Sequence, residues 1–95
     1  MLKRFPTSAG TVKVTFALPD SGESVSVVGD FNGWDPGASP LRRRSNGTRS
    51  VTVVLPSGRP HAFRYVTSAG HYFDDHEADD LSPNGFGETH SVIVT

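Results

Sequence analysis

The sequence predicts an all-β fold, an immunoglobulin-like antiparallel β-sandwich of seven to eight strands. Three observations point there. Apolar and polar residues alternate in short runs, turn formers recur at intervals of roughly 8–12 residues, and no window of a dozen residues has the three-and-four apolar spacing of a helix. A small closed barrel satisfies the same pattern and is the alternative. The 95 residues suffice for one hydrophobic core and no more.

The elements follow in chain order. Residues 1–10, MLKRFPTSAG, carry no strand pattern and are expected to be loosely ordered, leaving a single domain over 11–95. In TVKVTFAL, Val12, Val14, Phe16 and Leu18 fall on one face and Thr11, Lys13, Thr15 and Ala17 on the other, as in a half-buried strand. PDSGE turns the chain and SVSVVG, from Ser24, resumes it. LRRR reads as a short strand closed by the hairpin signal Asn46-Gly47. TRSVTVVL places Val51, Val53 and Leu55 together, and HAFRYV sets Phe63 and Tyr65 against Ala62, Arg64 and Val66. HYF follows a turn at SAG. DDHEADDLSPNGFGE shows no periodicity, and THSVIVT is the last strand.

Composition narrows the function classes. Nine lysines and arginines against ten aspartates and glutamates give a formal net charge of −1, so no global attraction to nucleic acid or an anionic membrane is expected. The absence of cysteine fits a reducing compartment, and no apolar run has signal-peptide or membrane-spanning length, so a cytoplasmic location is expected.

Four stretches carry a resemblance: VVGDFNGWDP, HAFRYV, AGHYFDDHEAD and PNGFGETHSVIV, in that order and at these separations. From about Thr11 to Thr95 the chain resembles the early-set, immunoglobulin-like domain of family-48 carbohydrate-binding modules. That family includes the N-terminal domains of isoamylases and glycogen branching enzymes and the glycogen-binding domain of the AMP-activated kinase β subunit. The resemblance implies a module that holds α-1,4-linked glucan, as in glycogen or starch, without cleaving it. The alternative is a protein-interaction or spacer domain of the same fold that has lost sugar binding, for which a glycogen-metabolism enzyme or kinase is the partner to look for. By the same resemblance the sugar contacts fall on Trp34, Arg64, Tyr72, Phe86 and His90. Two positions depart from the family pattern: Tyr72 stands where tryptophan is usual, giving a smaller ring, and His90 where asparagine is usual, giving a different hydrogen-bond pattern.

Chemistry supports these residue types independently. A glucose unit offers C–H patches on its faces and hydroxyls on its rim, which suit flat aromatic rings and planar or forked polar groups. Trp34 and Tyr72 both flank glycine-containing turns, where a strand interior does not claim them. Arg64 alternates with Phe63 and Tyr65, so if those two are core, it faces solvent and donates hydrogen bonds. Asn32, Asn84 and His90 are further candidate polar contacts. Against this stands a plainer set of roles: Trp34 as a loop plug on Phe31, Arg64 as an ordinary solvated residue, and Asn32-Gly33 as turn chemistry.

Other features carry less. Arg42 to Arg44 are read as a solvated edge strand, since no aromatic interleaves the run as nucleic-acid binding would want. His71, Asp74, Asp75, His76, Glu77, Asp79 and Asp80 lack the spacing of a calcium loop or zinc motif and are read as a hydrated acidic loop opposing those arginines. Adjacent Asp74 and Asp75 are not the two opposed carboxylates of a glycosidase, and no nucleophile motif occurs. No enzyme activity, cofactor or metal is expected.

Overall fold

The computed structural model describes residues 2–7, 9–83 and 89–95. Among these, nine strands make two antiparallel sheets of an immunoglobulin-like sandwich, with no helix. The first sheet contains β1 (Leu2–Pro6), β2 (Thr11–Pro19), β4 (Arg42–Arg43) and β5 (Thr48–Pro56), in the spatial order β1-β2-β5-β4. The second contains β3 (Val25–Gly29), β6 (Pro60–Thr67), β8 (Asp80–Pro83) and β9 (Thr89–Val94), in the order β3-β6-β9-β8, while β7 (Tyr72–Phe73) also pairs with β6.

The alternation sets the register. Val12, Val14 and Phe16 of β2 lie opposite Leu55, Val53 and Val51 of β5, so the centre of one face of the first sheet is apolar. It packs on Val25, Val27, Phe63, Tyr65 and Ile93 of the second sheet. Phe16 joins the layers, with its ring stacked on Phe31 at 5.8 Å and edge-on to Phe63 at 5.1 Å. Burying a side chain of that size contributes roughly 1.5–3 kcal/mol.

A polar network is built into this core. The buried Tyr65 hydroxyl donates to the Asp75 carboxylate, and burial followed by this bond pushes the phenol far above its usual range. The Asp75 amide in turn donates to Ser91 Oγ at 2.9 Å. The segment at 74–75 is thereby fastened to both β6 and β9.

Two strands are absent from the sequence pattern. β1 lies within the stretch expected to hold no strand, and β8 within the stretch without periodicity. Both are edge strands, paired on one side only. Arg4 of β1 forms an ion pair with Asp79, the residue that precedes β8. Burial alone would raise the Asp79 carboxyl, but the Val94 amide and the Arg4 guanidinium overcome it and hold it below the ordinary aspartate range.

Candidate functional site

The loop from residue 30 to 40 is shaped by its own polar groups. Gly29 ends β3 where nothing larger fits: a Cβ there would lie 2.5 Å from the Ala62 carbonyl oxygen and 2.5 Å from the Phe31 ring. Asn32 then acts as a clamp. Its Oδ1 accepts from the Gly29 amide at 3.0 Å, and its Nδ2 donates to the Val27 carbonyl at 3.0 Å and to Ser39 Oγ at 3.2 Å. The strand-like return is completed by Val27 N to Ser39 O and Leu41 N to Val25 O. Both donors of the Asn32 amide are thus engaged inside the loop, which places this residue in turn construction.

Clamped this way, the chain passes through two consecutive left-handed residues, Gly33 at φ 67° and Trp34 at φ 59°. Trp34 is the one non-glycine residue with positive φ among those described. The conformation costs an L-residue about 1–2 kcal/mol. It separates the two aromatics of the loop. Phe31 turns inward onto Phe16, while Trp34 stays 41% exposed with its indole edge-on to the His90 ring at 6.5 Å. The loop-plug arrangement on Phe31 is not the one adopted.

The remaining candidates lie on the outer face of the second sheet. Arg64 is opposite Val28, and Val66 is opposite both Ser26 and Tyr72, so these side chains share one face. Ala62 and Val92 continue it, and the period of two brings in His90. Tyr72 is 49% exposed, with the Arg64 guanidinium 5.7 Å from its ring centre, a cation–π distance. Pro36 from the Trp34 loop and Tyr72 from the β6–β7 hairpin line one shallow depression of about 340 Å³, floored by Ser26 and Val66. The structure therefore brings Trp34, His90, Arg64 and Tyr72 to one face. Phe86 and Asn84 lie outside the described residues.

Arg64 corrects an expectation. It does not extend into solvent: its side chain is 15% exposed, and Nε faces Asp74 Oδ1 at 3.4 Å. The cause is a fork in the sheet. Along one edge of β6, β9 pairs as far as Phe63–Ser91, and β7 takes over from Tyr65–Phe73. Arg64 sits between them, and Asp74 fills the gap, accepting from Thr89 Oγ1 at 2.7 Å and Ser91 Oγ at 3.1 Å. Asp74 is the site residue that the reading of local pattern did not single out, because its partner is ten positions away on another strand.

Asp74, Asp75 and Asp79 of the acidic stretch do not oppose Arg42 to Arg44 either. Arg43 and the buried Arg49 converge on Asp20, at 3.0 and 2.8 Å, and Arg44 reaches Ser50. Asp74, Asp75 and Asp79 are engaged instead by Arg64, Tyr65 and Arg4.

A larger depression, of about 680 Å³, lies against the first sheet and is lined by Lys3, Thr15, Ala17, Thr48, Ser50 and Arg44 among others. Glu77, Leu18 and Pro19 also line it, and it contains no aromatic ring, so it offers nothing flat for a sugar face to stack on. The exposed aromatic rings Trp34 and Tyr72 lie elsewhere, toward the second sheet.

No family model matches the chain. Parts of it are similar to 1,4-alpha-glucan branching enzymes. Identity is 38% over 69 residues with the enzyme of Rhodopirellula baltica, 41% over 51 residues with GlgB 2 of Xanthomonas campestris pv. campestris, and 33% over 63 residues with that of Aquifex aeolicus. These stretches cover 68%, 50% and 65% of this chain, but only 9%, 7% and 9% of the respective enzymes. The chain spans less than a tenth of the length of these relatives, and its likeness is to a small part of each.

Proposed function

We propose that this domain is a non-catalytic module binding α-1,4-glucan, with Trp34 and Tyr72 stacking on sugar faces and Arg64 and His90 contacting hydroxyls. The observation that carries the proposal is Trp34. Its indole is held half in solvent by a backbone conformation that disfavours it, in a loop whose other aromatic is buried. Strain retained at an exposed aromatic is what a binding surface needs and a core does not. Tyr72 on the same sheet face, the family resemblance and the similarity to parts of glucan branching enzymes support the same reading. Asn32 serves the site by shaping the loop.

The expected affinity is modest. Two half-covered rings contribute about 2–3 kcal/mol, hydrogen bonds exchanged with water add about 0.5–1.5 kcal/mol each, and association costs several kcal/mol. A Kd on the order of tens of micromolar to millimolar follows, so retention on a polymer gains from repeated contact. Titration with maltoheptaose, followed by tryptophan emission and amide shifts, tests the proposal; no perturbation at millimolar sugar defeats it.

A second reading, a protein-interaction domain for a glycogen-metabolism enzyme or kinase, is favoured by the first sheet. Its strands carry Lys3, Arg4, Lys13, Arg42, Arg43 and Arg49 and no carboxylate. On that reading Trp34→Ala leaves partner capture intact.

A further inference from the structure

Charge is unevenly distributed along this chain. Residues 60–95 contain a single lysine or arginine, Arg64, together with Asp74, Asp75, Glu77, Asp79, Asp80 and Glu88. The Trp34 loop adds Asp30 and Asp35 and no cation. Arg64, the cation of the candidate face, is met by the Asp74 carboxylate at 3.4 Å. Asp74 is itself held by Thr89 and Ser91, so the pair is fixed in place. Asp80 lies opposite Val92 on the same outer face, and Asp35 follows Trp34 directly, with its carboxylate accepting from the Gly37 amide at 2.9 Å.

From this arrangement we infer that Asp74 is a specificity-determining residue: it neutralises Arg64, so that the face accepts neutral glucan and rejects glucan bearing anionic substituents. The inference rests on the glucan-binding reading above and extends it to the charge class of the ligand. An unpaired guanidinium beside an aromatic platform is a ready anion receptor, since it forms forked, charge-assisted bonds to phosphate, sulfate or carboxylate. A guanidinium already facing a carboxylate keeps its planar, donor-rich shape for hydroxyls but gives an incoming anion no net attraction. The Asp80 carboxylate on the same outer face adds negative charge to the local field.

The test compares maltoheptaose with sulfated maltoheptaose, each titrated into the wild-type domain and into Asp74→Asn at about 20 mM salt, where the Debye length is long enough for the field to act. The wild type is expected to bind the neutral sugar more tightly. Asp74→Asn keeps the side chain's size and one acceptor oxygen but removes the charge, and should shift the neutral-to-sulfated affinity ratio toward the sulfated ligand by ~5-fold, as expected for one charge a few ångströms from a partly solvated site. At about 0.5 M salt the shift should shrink to near unity. A purely structural role for Asp74 would weaken both ligands alike and leave the ratio unmoved, and that result overturns the inference. So does a wild type that binds the sulfated sugar as well as the neutral one. Failure of the wild type to bind maltoheptaose at all instead removes the glucan reading, and this inference with it. If Asp74→Asn does not fold, Asp80→Asn on the exposed edge strand serves as the second variant, with an expected ratio shift of ~2-fold in the same direction.

Discussion

The outer faces of the two sheets are built by the same alternation and do different things. On the first sheet, Lys3, Thr15 and Thr52 lie side by side across β1, β2 and β5, and the Thr15 and Thr52 hydroxyls bond each other at 2.9 Å. That face is flat, hydroxyl-bearing and cationic, and its exposed aromatic is Phe5. On the second sheet, a loop and a hairpin raise Trp34 and Tyr72 at the margins of a face whose one arginine is paired. The contrast shows where specificity is added to a sandwich. Strands supply a level surface, and what departs from the strand pattern, here a left-handed loop and a fork between β9 and β7, gives the surface relief and chemistry.

The largest expected effect comes from destroying that relief. Gly29→Ala forces a methyl against the Ala62 carbonyl oxygen and the Phe31 ring, neither of which is free to yield, since Ala62 O accepts from the Asp30 amide. Overpacking of this kind should cost about 2–4 kcal/mol, read as a drop in the midpoint of urea denaturation. Gly37→Ala in the same loop, where a Cβ meets nothing nearer than Asp35 Oδ1 at 3.4 Å, should cost less than about 1 kcal/mol. Equal losses in the two variants would mean that the base of the loop is not where its shape is set.

Next in size is a comparison of the two exposed aromatics. Trp34→Ala should weaken maltoheptaose binding by roughly 10-fold or more, as half-covering an indole implies. Phe5→Ala, on the other sheet, should leave the affinity within about twofold. Isothermal titration of both variants decides, and a loss for Phe5→Ala that matches the loss for Trp34→Ala would dissolve the distinction between the faces. Tyr72→Ala should fall between them, at roughly 3–10-fold, because its ring is smaller and shares its contact with Arg64.

Much of this contrast was legible in the sequence, though not all for the same reason. β2, β5, β6 and β9 are read correctly because each buries one face, and burial imprints a period of two. β1 and β8 leave no such imprint: each is an edge strand of at most five residues, ends in proline and bonds on one side only. Trp34 is legible because an indole beside Asn-Gly has no strand interior to enter. The pairing of Arg64 with Asp74 is not, since it depends on β9 and β7 dividing one edge of β6, a fact of topology that no local window contains. The segregation of charge is a different matter. It is written along the chain, but a net charge of −1 averages it away; the useful quantity is the charge of each sheet.

The smallest effect concerns the cationic sheet and Asp20, the acid on which Arg43 and Arg49 converge. Asp20 receives the Gly22 amide at 2.9 Å, then Arg49 at 2.8 Å and Arg43 at 3.0 Å, and these bonds lower its carboxyl from the ordinary value of 3.8 to about 2. Because the folded state holds the proton more weakly than the unfolded chain, the ionised Asp20 stabilises the fold fully above roughly pH 4, and that contribution is lost as pH falls toward 2. Asp20→Asn cannot take part in this titration. Wild type should therefore lose thermal stability more steeply than Asp20→Asn between pH 4 and 2, and the two curves should run parallel from pH 5 to 7. Salt should narrow the gap, since Arg43 is largely exposed while Arg49 is buried. Parallel curves through the acid range would place the anchoring of Arg43 and Arg49 in geometry alone. Asp20 would then serve the fold chiefly as a turn former, through its bond from the Gly22 amide at 2.9 Å.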